Sequence, residues 1–275
     1  MQKLLIGLSV LALAGCGGSS SSDPAPNPDT PTFTAAQSGI YLGTVSGPQE
    51  LVGLALLSPD GDIRSLSSDP YDGYTVAFGE FDAEGKNGSY SAEGRVFGCD
   101  INSCLWENTS LSGQLQNGLF SGTQRFADSS AEYSIEMQRD PDSNLEFDLS
   151  ALGGRWSDGY TELELASDGS FSGLDLDGCV MTGQITPHDG VNLLSLTFSL
   201  SQCEFDGQFE GLGFMFVDGD GHNIWALTSS ELYVFPFIVW DGKATSGQAP
   251  RFELNLRTPT GDGLKGLQGM GKQRR

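Results

Sequence analysis

Hydrophobic and polar residues alternate with a period of two along most of the chain, which predicts β-strands. The alternation is clearest in residues 194–200, where Leu and Phe face one way and hydroxyl side chains the other. It recurs in residues 133–137, 163–165 and 252–257. Strands that bury one face and expose the other are typical of antiparallel sheets. The pattern therefore predicts an all-β protein made of antiparallel hairpins.

Pairs of turn-forming residues separate these segments. They are Asp60-Gly61, Glu84-Gly85, Asn117-Gly118, Asp168-Gly169, Asp189-Gly190 and Asp241-Gly242. Glycine adopts at little cost the left-handed backbone conformation that tight hairpin turns require. Because the turns recur about every ten residues, consecutive strands should form meandering hairpins.

The chain contains two similar series of strands. One begins at Gly39 and the other at the segment 153–156. We predict two tandem antiparallel up-and-down β-barrel or calyx domains, residues 36–140 and 153–258, joined by a linker at residues 141–152. A single sandwich of about sixteen strands is the alternative.

The N-terminus begins with Lys3 and a short apolar stretch, residues 4–14. This stretch is too short to cross a bilayer core of roughly 30 Å as a helix, so residues 1–15 have the pattern of a cleaved signal peptide. The segment that ends at Cys16, Leu13-Ala14-Gly15-Cys16, resembles the lipobox of bacterial lipoproteins. The resemblance implies that Cys16 becomes an acylated N-terminus that anchors the protein to a membrane.

The residue after the lipobox cysteine is Gly17 and not Asp. By the sorting rule of Gram-negative lipoproteins, this favours anchoring to the outer membrane with the protein facing the periplasm. Anchoring to the inner membrane is the alternative. Residues 16–35 then form the acylated cysteine and a flexible tether rich in Ser and Pro.

The charge of the chain is strongly acidic, with 36 Asp and Glu residues against 14 Lys and Arg and a formal net charge of −22. This balance argues against nucleic acid as a partner, because phosphate contacts need clustered basic side chains. Several of the basic residues lie near the C-terminus. There, residues 259–275 are rich in Gly, lack hydrophobic periodicity and are predicted to form a flexible basic tail.

Four cysteines follow Cys16, an even number in a chain predicted to enter an oxidising compartment. Three pairings are possible, and the spacing favours a disulfide between Cys99 and Cys104 and another between Cys179 and Cys203. A zinc site is the rival interpretation. It is disfavoured because the chain has only two histidines and no Cys-x-x-Cys pair.

The second half contains a distinctive set of segments: Gly154-Arg155-Trp156, residues 167–173, Asp177-Gly178-Cys179, residues 182–185, Asn192, Cys203 and residues 207–212. In these segments it resembles a repeated module of uncharacterised Gram-negative lipoproteins. The resemblance implies a small up-and-down β-barrel or calyx, loosely lipocalin-like, and it implies no activity. The first half shares the pattern only weakly.

No catalytic or metal-binding constellation is evident. The chain has no Gly-x-Ser-x-Gly, His-Glu-x-x-His or phosphate-binding glycine loop. The segment 218–221, Asp-Gly-Asp-Gly, resembles part of a calcium loop but lacks the later ligands, and a hairpin turn explains it better. We predict that the protein is not an enzyme and uses no metal and no cofactor.

One segment, residues 232–240, is apolar on both faces and carries Pro236. Proline is excluded from central strands, so this segment should be an edge strand or rim. Either the neighbouring domain covers it, or it meets a hydrophobic ligand, a lipid or a membrane protein. The candidate contact residues are Tyr233, Phe235, Phe237, Trp240, Phe214, Phe216 and Trp225.

These features predict a lipid-anchored protein that binds or carries a hydrophobic small molecule or lipid without catalysis. The expected partners are the membrane, through the lipid anchor, and an outer-membrane transport protein. The alternative is a structural or interaction module that docks onto an envelope complex and holds no cavity ligand.

Overall fold

The computed structural model describes residues 32–70, 76–99, 104–145, 149–157, 161–175, 178–218, 221–231 and 234–239. Within these ranges the chain forms sixteen β-strands and two short 3-10 helices. No helix in the described part of the chain is long and apolar enough to cross a membrane. The predicted all-β fold is confirmed, and so are the predicted strands at residues 133–137, 163–165 and 194–200.

The first eight strands form a closed antiparallel barrel. They are β1 (Gly39–Ser46), β2 (Glu50–Leu57), β3 (Asp62–Ser68), β4 (Val76–Lys86), β5 (Ser89–Cys99), β6 (Cys104–Gln116), β7 (Leu119–Phe126) and β8 (Glu132–Arg139). Each strand pairs with the next, and β1 closes the barrel by pairing with β8, with Gly43 opposite Met137. The predicted barrel of the first half is therefore confirmed.

The second half forms an eight-stranded antiparallel meander. The 3-10 helices Pro141–Asn144 and Leu149–Leu152 precede β9 (Gly154–Ser157), β10 (Thr161–Leu165), β11 (Ser170–Asp175), β12 (Val180–Pro187), β13 (Leu194–Ser201), β14 (Gly207–Asp218), β15 (Gly221–Ser229) and β16 (Val234–Val239). Within the described ranges, β9 and β16 each pair with one neighbour only. The second barrel therefore stays a prediction, as does the strand at residues 252–257, which lies outside the described residues.

The hairpin turns follow the local sequence at most positions. Asn117 and Gly118 have φ angles of 53° and 75°, as a tight turn with two left-handed residues requires. The predicted turn at Glu84-Gly85 is wrong, because both residues lie inside β4 and the turn is at Asn87-Gly88. A Cβ atom at Gly85 would lie 2.5 Å from the ring of Phe33. That glycine therefore allows a close approach of another side chain rather than a turn.

The outer wall of the barrel packs against one face of the meander. Ile40, Val52, Leu54, Leu56, Leu66 and Phe78 of the barrel form one buried cluster with Val191, Leu193, Leu212, Phe214, Trp225 and Leu227. Strand β2 is consequently buried on both faces, with only Glu50 exposed. Both sheets belong to one compact unit of the chain.

A buried polar joint connects the two halves through the first 3-10 helix. The Ser143 Oγ accepts a hydrogen bond from the Ile40 N–H at 2.9 Å. The amide of Asn192, which is fully buried, donates to the carbonyls of Asp142 at 2.9 Å and Met215 at 2.7 Å and accepts from the Met215 N–H at 3.0 Å. Residues 141–145 of the predicted linker thus form part of the interface.

Charged residues also cross this interface. Arg64 of β3, 7% exposed, lies 2.9 Å from Asp62 and 3.7 Å from Glu210 of β14. Burial raises the pKa of Asp62 to about 6, against the opposing attraction of Arg64. Arg95 donates to the Ser230 carbonyl at 3.2 Å and pairs with Glu80. The halves are therefore joined by ionic as well as apolar contacts.

Candidate functional site

The interior of the barrel is closed at one end by aromatic side chains. Phe33 lies there beside Gly85, held by a hydrogen bond from its N–H to the Pro59 carbonyl at 2.9 Å. Above it, Phe120 stacks on Tyr90 with ring centroids 4.6 Å apart and lies 5.5 Å from the ring of Tyr41. These rings fill the end of the barrel next to Phe33.

The other end of the interior holds a cavity of about 290 Å³ that opens to solvent. Gln49, Leu105, Phe126 and Tyr133 border this opening, which we call the mouth. Large apolar side chains form most of its wall, namely Val45, Leu51, Ile63, Phe81, Val96, Leu111, Phe120, Ile135 and Met137. An apolar concave site with few polar groups is typical of small-molecule binding pockets.

Small residues explain why the interior is not filled. Inward-facing positions on adjacent strands carry Ala55, Ser65, Ser67, Ala77, Gly79 and Gly98, all of which line the cavity. A barrel of eight strands is just wide enough to be filled by side chains or to hold one small ligand. A Cβ atom at Gly98 would have no heavy atom within 4 Å, so that position faces open space. The residue choice on β3, β4 and β5 therefore creates the cavity.

Several polar groups face the same space. Ser65 and Ser67 lie two residues apart on β3, and Gln124 lies on β7. Within the described residues, none of these three side chains makes a hydrogen bond to another protein group. They can therefore donate or accept hydrogen bonds to a molecule in the cavity, which would fix its orientation.

The mouth is lined by an aromatic pair and an exposed leucine. Phe126 and Tyr133 meet edge to face with centroids 5.8 Å apart. Gly47 fits against the Tyr133 ring, where a Cβ atom would lie 2.5 Å from the ring. Leu105 of β6 is 48% exposed and also borders the cavity. The entrance is thus apolar on several sides.

At the mouth, the hairpin of β5 and β6 extends beyond the neighbouring strand β7. Cys99 and Cys104 are opposite each other at its tip, whereas β7 begins to pair with β6 only at Thr109. The backbone register is that expected for the predicted Cys99–Cys104 disulfide. The side chains of these two cysteines lie outside the described part of the structure, so that disulfide stays a prediction.

Two buried tyrosines, Tyr41 and Tyr90, pack around Phe120 at the aromatic end of the barrel and do not line the cavity. Burial raises the pKa of Tyr41 to about 12, and burial likewise raises the pKa of Tyr90 above its usual range. Both phenols therefore stay protonated near neutral pH. Glu107 is the one carboxylate among the described cavity-lining residues, and those residues include no His, Cys, Lys or Arg.

The candidate contact residues of the second half are distributed differently. Phe214 and Trp225, 7% and 1% exposed, lie in the buried cluster against the barrel, and Phe216 packs beside them. Their burial agrees with the alternative in which the neighbouring domain covers the apolar residues. Phe235 and Phe237 lie on β16, but their side chains are outside the described residues, as are Tyr233 and Trp240.

Other sequence-derived features have mixed outcomes. The predicted Cys179–Cys203 disulfide is confirmed and joins the ends of β12 and β13. The register of β14 and β15 places Asp218 opposite Gly221, as the predicted hairpin requires. Cys16, the signal peptide and residues 259–275 lie outside the described residues.

The sequence predictions did not identify the cavity of the first barrel. One signal was present, because small residues alternate in phase at positions 53, 55, 65, 67, 77 and 79. Only the register brings them together, with Ser65 opposite Gly79 and Ala55 opposite Ser65. The other signal was the run 51–57, which is apolar on both faces of one strand.

No family model matches the chain, and no curated protein matches it. Among solved structures, it is similar to a "putative outer membrane protein" of Bacteroides fragilis NCTC 9343. The identity is 13%, and the match covers 77% of this chain and 100% of the other with a TM-score of 0.29. Similarity at this level carries no argument about fold or function.

Proposed function

We propose that the protein is a lipid-anchored, non-enzymatic binding protein of the Gram-negative periplasm that carries one small hydrophobic molecule in its first barrel. The observation that carries this proposal is the open apolar cavity of about 290 Å³ inside a closed eight-stranded barrel. At roughly 30 Å³ for each non-hydrogen atom of a liquid, the cavity accommodates about ten such atoms. This matches a short-chain lipid or a small ring compound.

Packing argues that the cavity is a binding site. Closely packed interiors contain few voids larger than a water molecule, because unfilled apolar space costs stability. Here the small residues Ala55, Ser65 and Gly79 maintain a large space that opens to solvent through an apolar mouth. A ligand that fills this space would recover the missing contacts.

The lipid anchor in this proposal rests on the lipobox resemblance at Cys16. Phe33, near the start of the described residues, lies at the closed end of the barrel. The tether would therefore join the barrel at the end opposite the mouth. This arrangement suits a carrier that exchanges its ligand with a partner, for which an outer-membrane transport protein is our candidate.

The test is calorimetric titration with decan-1-ol of the protein from residue 32 onwards and of a Gly98→Leu variant. The added side chain would project into the open space at the mouth, so binding should weaken by at least about tenfold. The matched control is Gly207→Leu, because a Cβ atom there lies 3.7 Å from its nearest neighbour and far from the barrel interior. The control should bind normally.

Equal binding by both variants would contradict a site in the first barrel. Absence of binding by decan-1-ol and by extracted envelope lipids would favour the alternative, a module that docks onto an envelope complex without a cavity ligand. For the anchor, Cys16→Ser in the full chain should release the protein from the membrane fraction. Persistent membrane association would contradict acylation at Cys16.

A further inference from the structure

Acidic side chains surround the mouth of the barrel. At the mouth, the described residues carry Glu50, Asp69, Glu107, Asp128 and Glu132. Two basic side chains lie towards this end and both are paired: Arg125 with Glu132 at 2.7 Å, and Arg95, on the outer face of β5, with Glu80. The described residues of the connections at this end, 47–49, 69–70 and 127–131, include no Lys or Arg.

Two basic residues, Lys86 and Arg139, lie at the closed end, where acidic residues such as Asp60 and Glu84 also lie. Lys86 adjoins the turn between β4 and β5, and Arg139 ends β8. Arg139 is held by the Ser38 carbonyl and the Asn144 side chain, each at 2.8 Å. These cations are therefore separated from the cavity by the aromatic floor that Phe33, Tyr90 and Phe120 form.

We infer that the first barrel selects its ligand by charge, accepting amphiphiles with an uncharged or cationic head group and rejecting carboxylates and other anions. This inference rests on the proposed function. An amphiphile in the cavity would place its apolar body against the wall residues and its head group at the mouth, next to Glu107. A negative head group would there face carboxylates without a free cation, whereas an amine would be attracted and a hydroxyl tolerated.

The polar groups within the cavity are consistent with such a ligand. Ser65, Ser67 and Gln124 are neutral and can hydrogen-bond a hydroxyl, carbonyl or amide. Binding a carboxylate in an apolar site without a cationic partner would cost desolvation that neutral donors repay poorly. The described lining residues therefore include no cation that would pair with the carboxylate of a fatty acid.

The experiment titrates the protein with decan-1-ol, decylamine and decanoate, which share one alkyl length and differ in head-group charge. Near a protein surface, a pair of opposite charges about 5 Å apart and a pair of like charges at that distance differ in interaction energy. The difference is enough to change the affinity by at least about fivefold. Decanoate should bind at least about fivefold more weakly than decan-1-ol, and decylamine at least as tightly. Raising the ionic strength from about 0.02 M to about 0.5 M should shrink the difference, because salt screens exposed charges.

A Glu107→Lys variant tests whether the negative charge at the mouth causes the selectivity. It should bring decanoate to within about twofold of decan-1-ol, since the reversed charge would attract the carboxylate. The matched control, Glu164→Lys on the exposed face of β10, changes the net charge equally and lies in the second half. It should leave the order of the three ligands unchanged.

The possible results separate this inference from the proposed function. Decanoate binding as tightly as decan-1-ol overturns charge selection and leaves the carrier proposal standing. Equal effects of Glu107→Lys and Glu164→Lys overturn the role of the mouth. Failure of all three ligands to bind overturns both proposals.

Discussion

The two halves of the molecule are both eight-stranded antiparallel meanders, yet their interiors differ. The first closes into a barrel that keeps Ala55, Ser65, Gly79 and Gly98 around a cavity. The inner face of the second carries large side chains, among them Leu194, Leu196, Phe198, Leu200 and Phe209, and the rings of Phe198 and Phe209 stack 5.0 Å apart. An eight-stranded antiparallel meander therefore surrounds an open site in the first half and carries a core of large side chains in the second.

The comparison suggests that the first half provides the open site and that the second half stabilises it. The second half covers β1–β4 of the barrel with its other face and so stabilises a wall that small interior residues would leave weak. The barrel can then keep empty space inside while its outer surface is well packed. Substitutions that separate stability from ligand binding test this interpretation.

The largest expected effect is on the filled core. Phe198→Ala removes a buried ring that stacks on Phe209 and should lower the free energy of unfolding by about 3–5 kcal/mol. Decan-1-ol binding by the folded variant should be unchanged, because the cavity lies in the other half. Urea denaturation and calorimetry measure the two quantities. The control Leu174→Ala changes a side chain that is 52% exposed and should have little effect on either quantity.

If Phe198→Ala weakened decan-1-ol binding as much as Gly98→Leu does, the proposed separation of stability and binding would be wrong. Gly98→Leu should in turn cost less than about 1 kcal/mol of stability, because the added side chain meets open space.

A smaller effect is expected at the joint between the halves. Asn192→Ala leaves the Asp142 carbonyl and the buried carbonyl and N–H of Met215 without their side-chain partner and should cost about 2 kcal/mol. In the parent protein, the two halves should unfold in one transition, because they share a buried cluster. Tryptophan fluorescence and far-UV circular dichroism during urea denaturation measure this.

The control for the joint is Asn144→Ala, which removes an exposed partner of Arg139 and should cost less than about 0.5 kcal/mol. Two separate transitions in the parent protein would contradict a coupled pair of halves.

The smallest expected effect concerns the charged contact between the halves. Asp62 has its pKa raised to about 6 in the folded protein, so the folded state binds the proton more tightly than the unfolded chain. The free energy of unfolding should therefore fall as pH rises from about 4 to about 6 and then stay low. Because the side chain is 29% exposed, solvent screening reduces this contribution to about 1–2 kcal/mol.

His188 has the opposite effect on how the free energy of unfolding depends on pH. Burial lowers its pKa despite the attraction of Asp60 and Asp189, so its contribution to stability is lost as pH falls through its ordinary range. Asp62→Asn should remove the fall between about pH 4 and about pH 6 and leave the His188 effect. Asp128→Asn, at the mouth, is the control. An unchanged pH profile in Asp62→Asn would show that Asp62 does not titrate in this range.

Several features of the fold could be predicted because they depend on neighbours in the sequence. The alternation in residues 194–200 predicts β13, and Asn117-Gly118 predicts its turn. The spacing of Cys179 and Cys203 predicts their disulfide. Gly85 was misassigned because its role depends on Phe33, which is distant in sequence and adjacent in the fold.

The candidate site could not be predicted in the same way. Apolar residues such as Phe214 and Trp225 favour a contact surface in the sequence, and the structure places them against the protein's own barrel. Ser65 and Gly79 are ordinary residues in the sequence and become a cavity wall only when β3 and β4 pair in their register. Burial depends on what covers a face, which a single strand does not contain.

By itself, the sequence determined the strands, most of their turns, the acidic charge and the second-half disulfide, because each follows from residues that are close along the chain or from composition. Only the tertiary structure decided which face of β2 lines the cavity and which contacts the second half. Leu51 and Ala55 point inward and Leu54 and Leu56 outward, although all four are apolar. Closure of the barrel and docking of the second sheet give these similar residues different roles, because both depend on contacts between strands far apart in the chain.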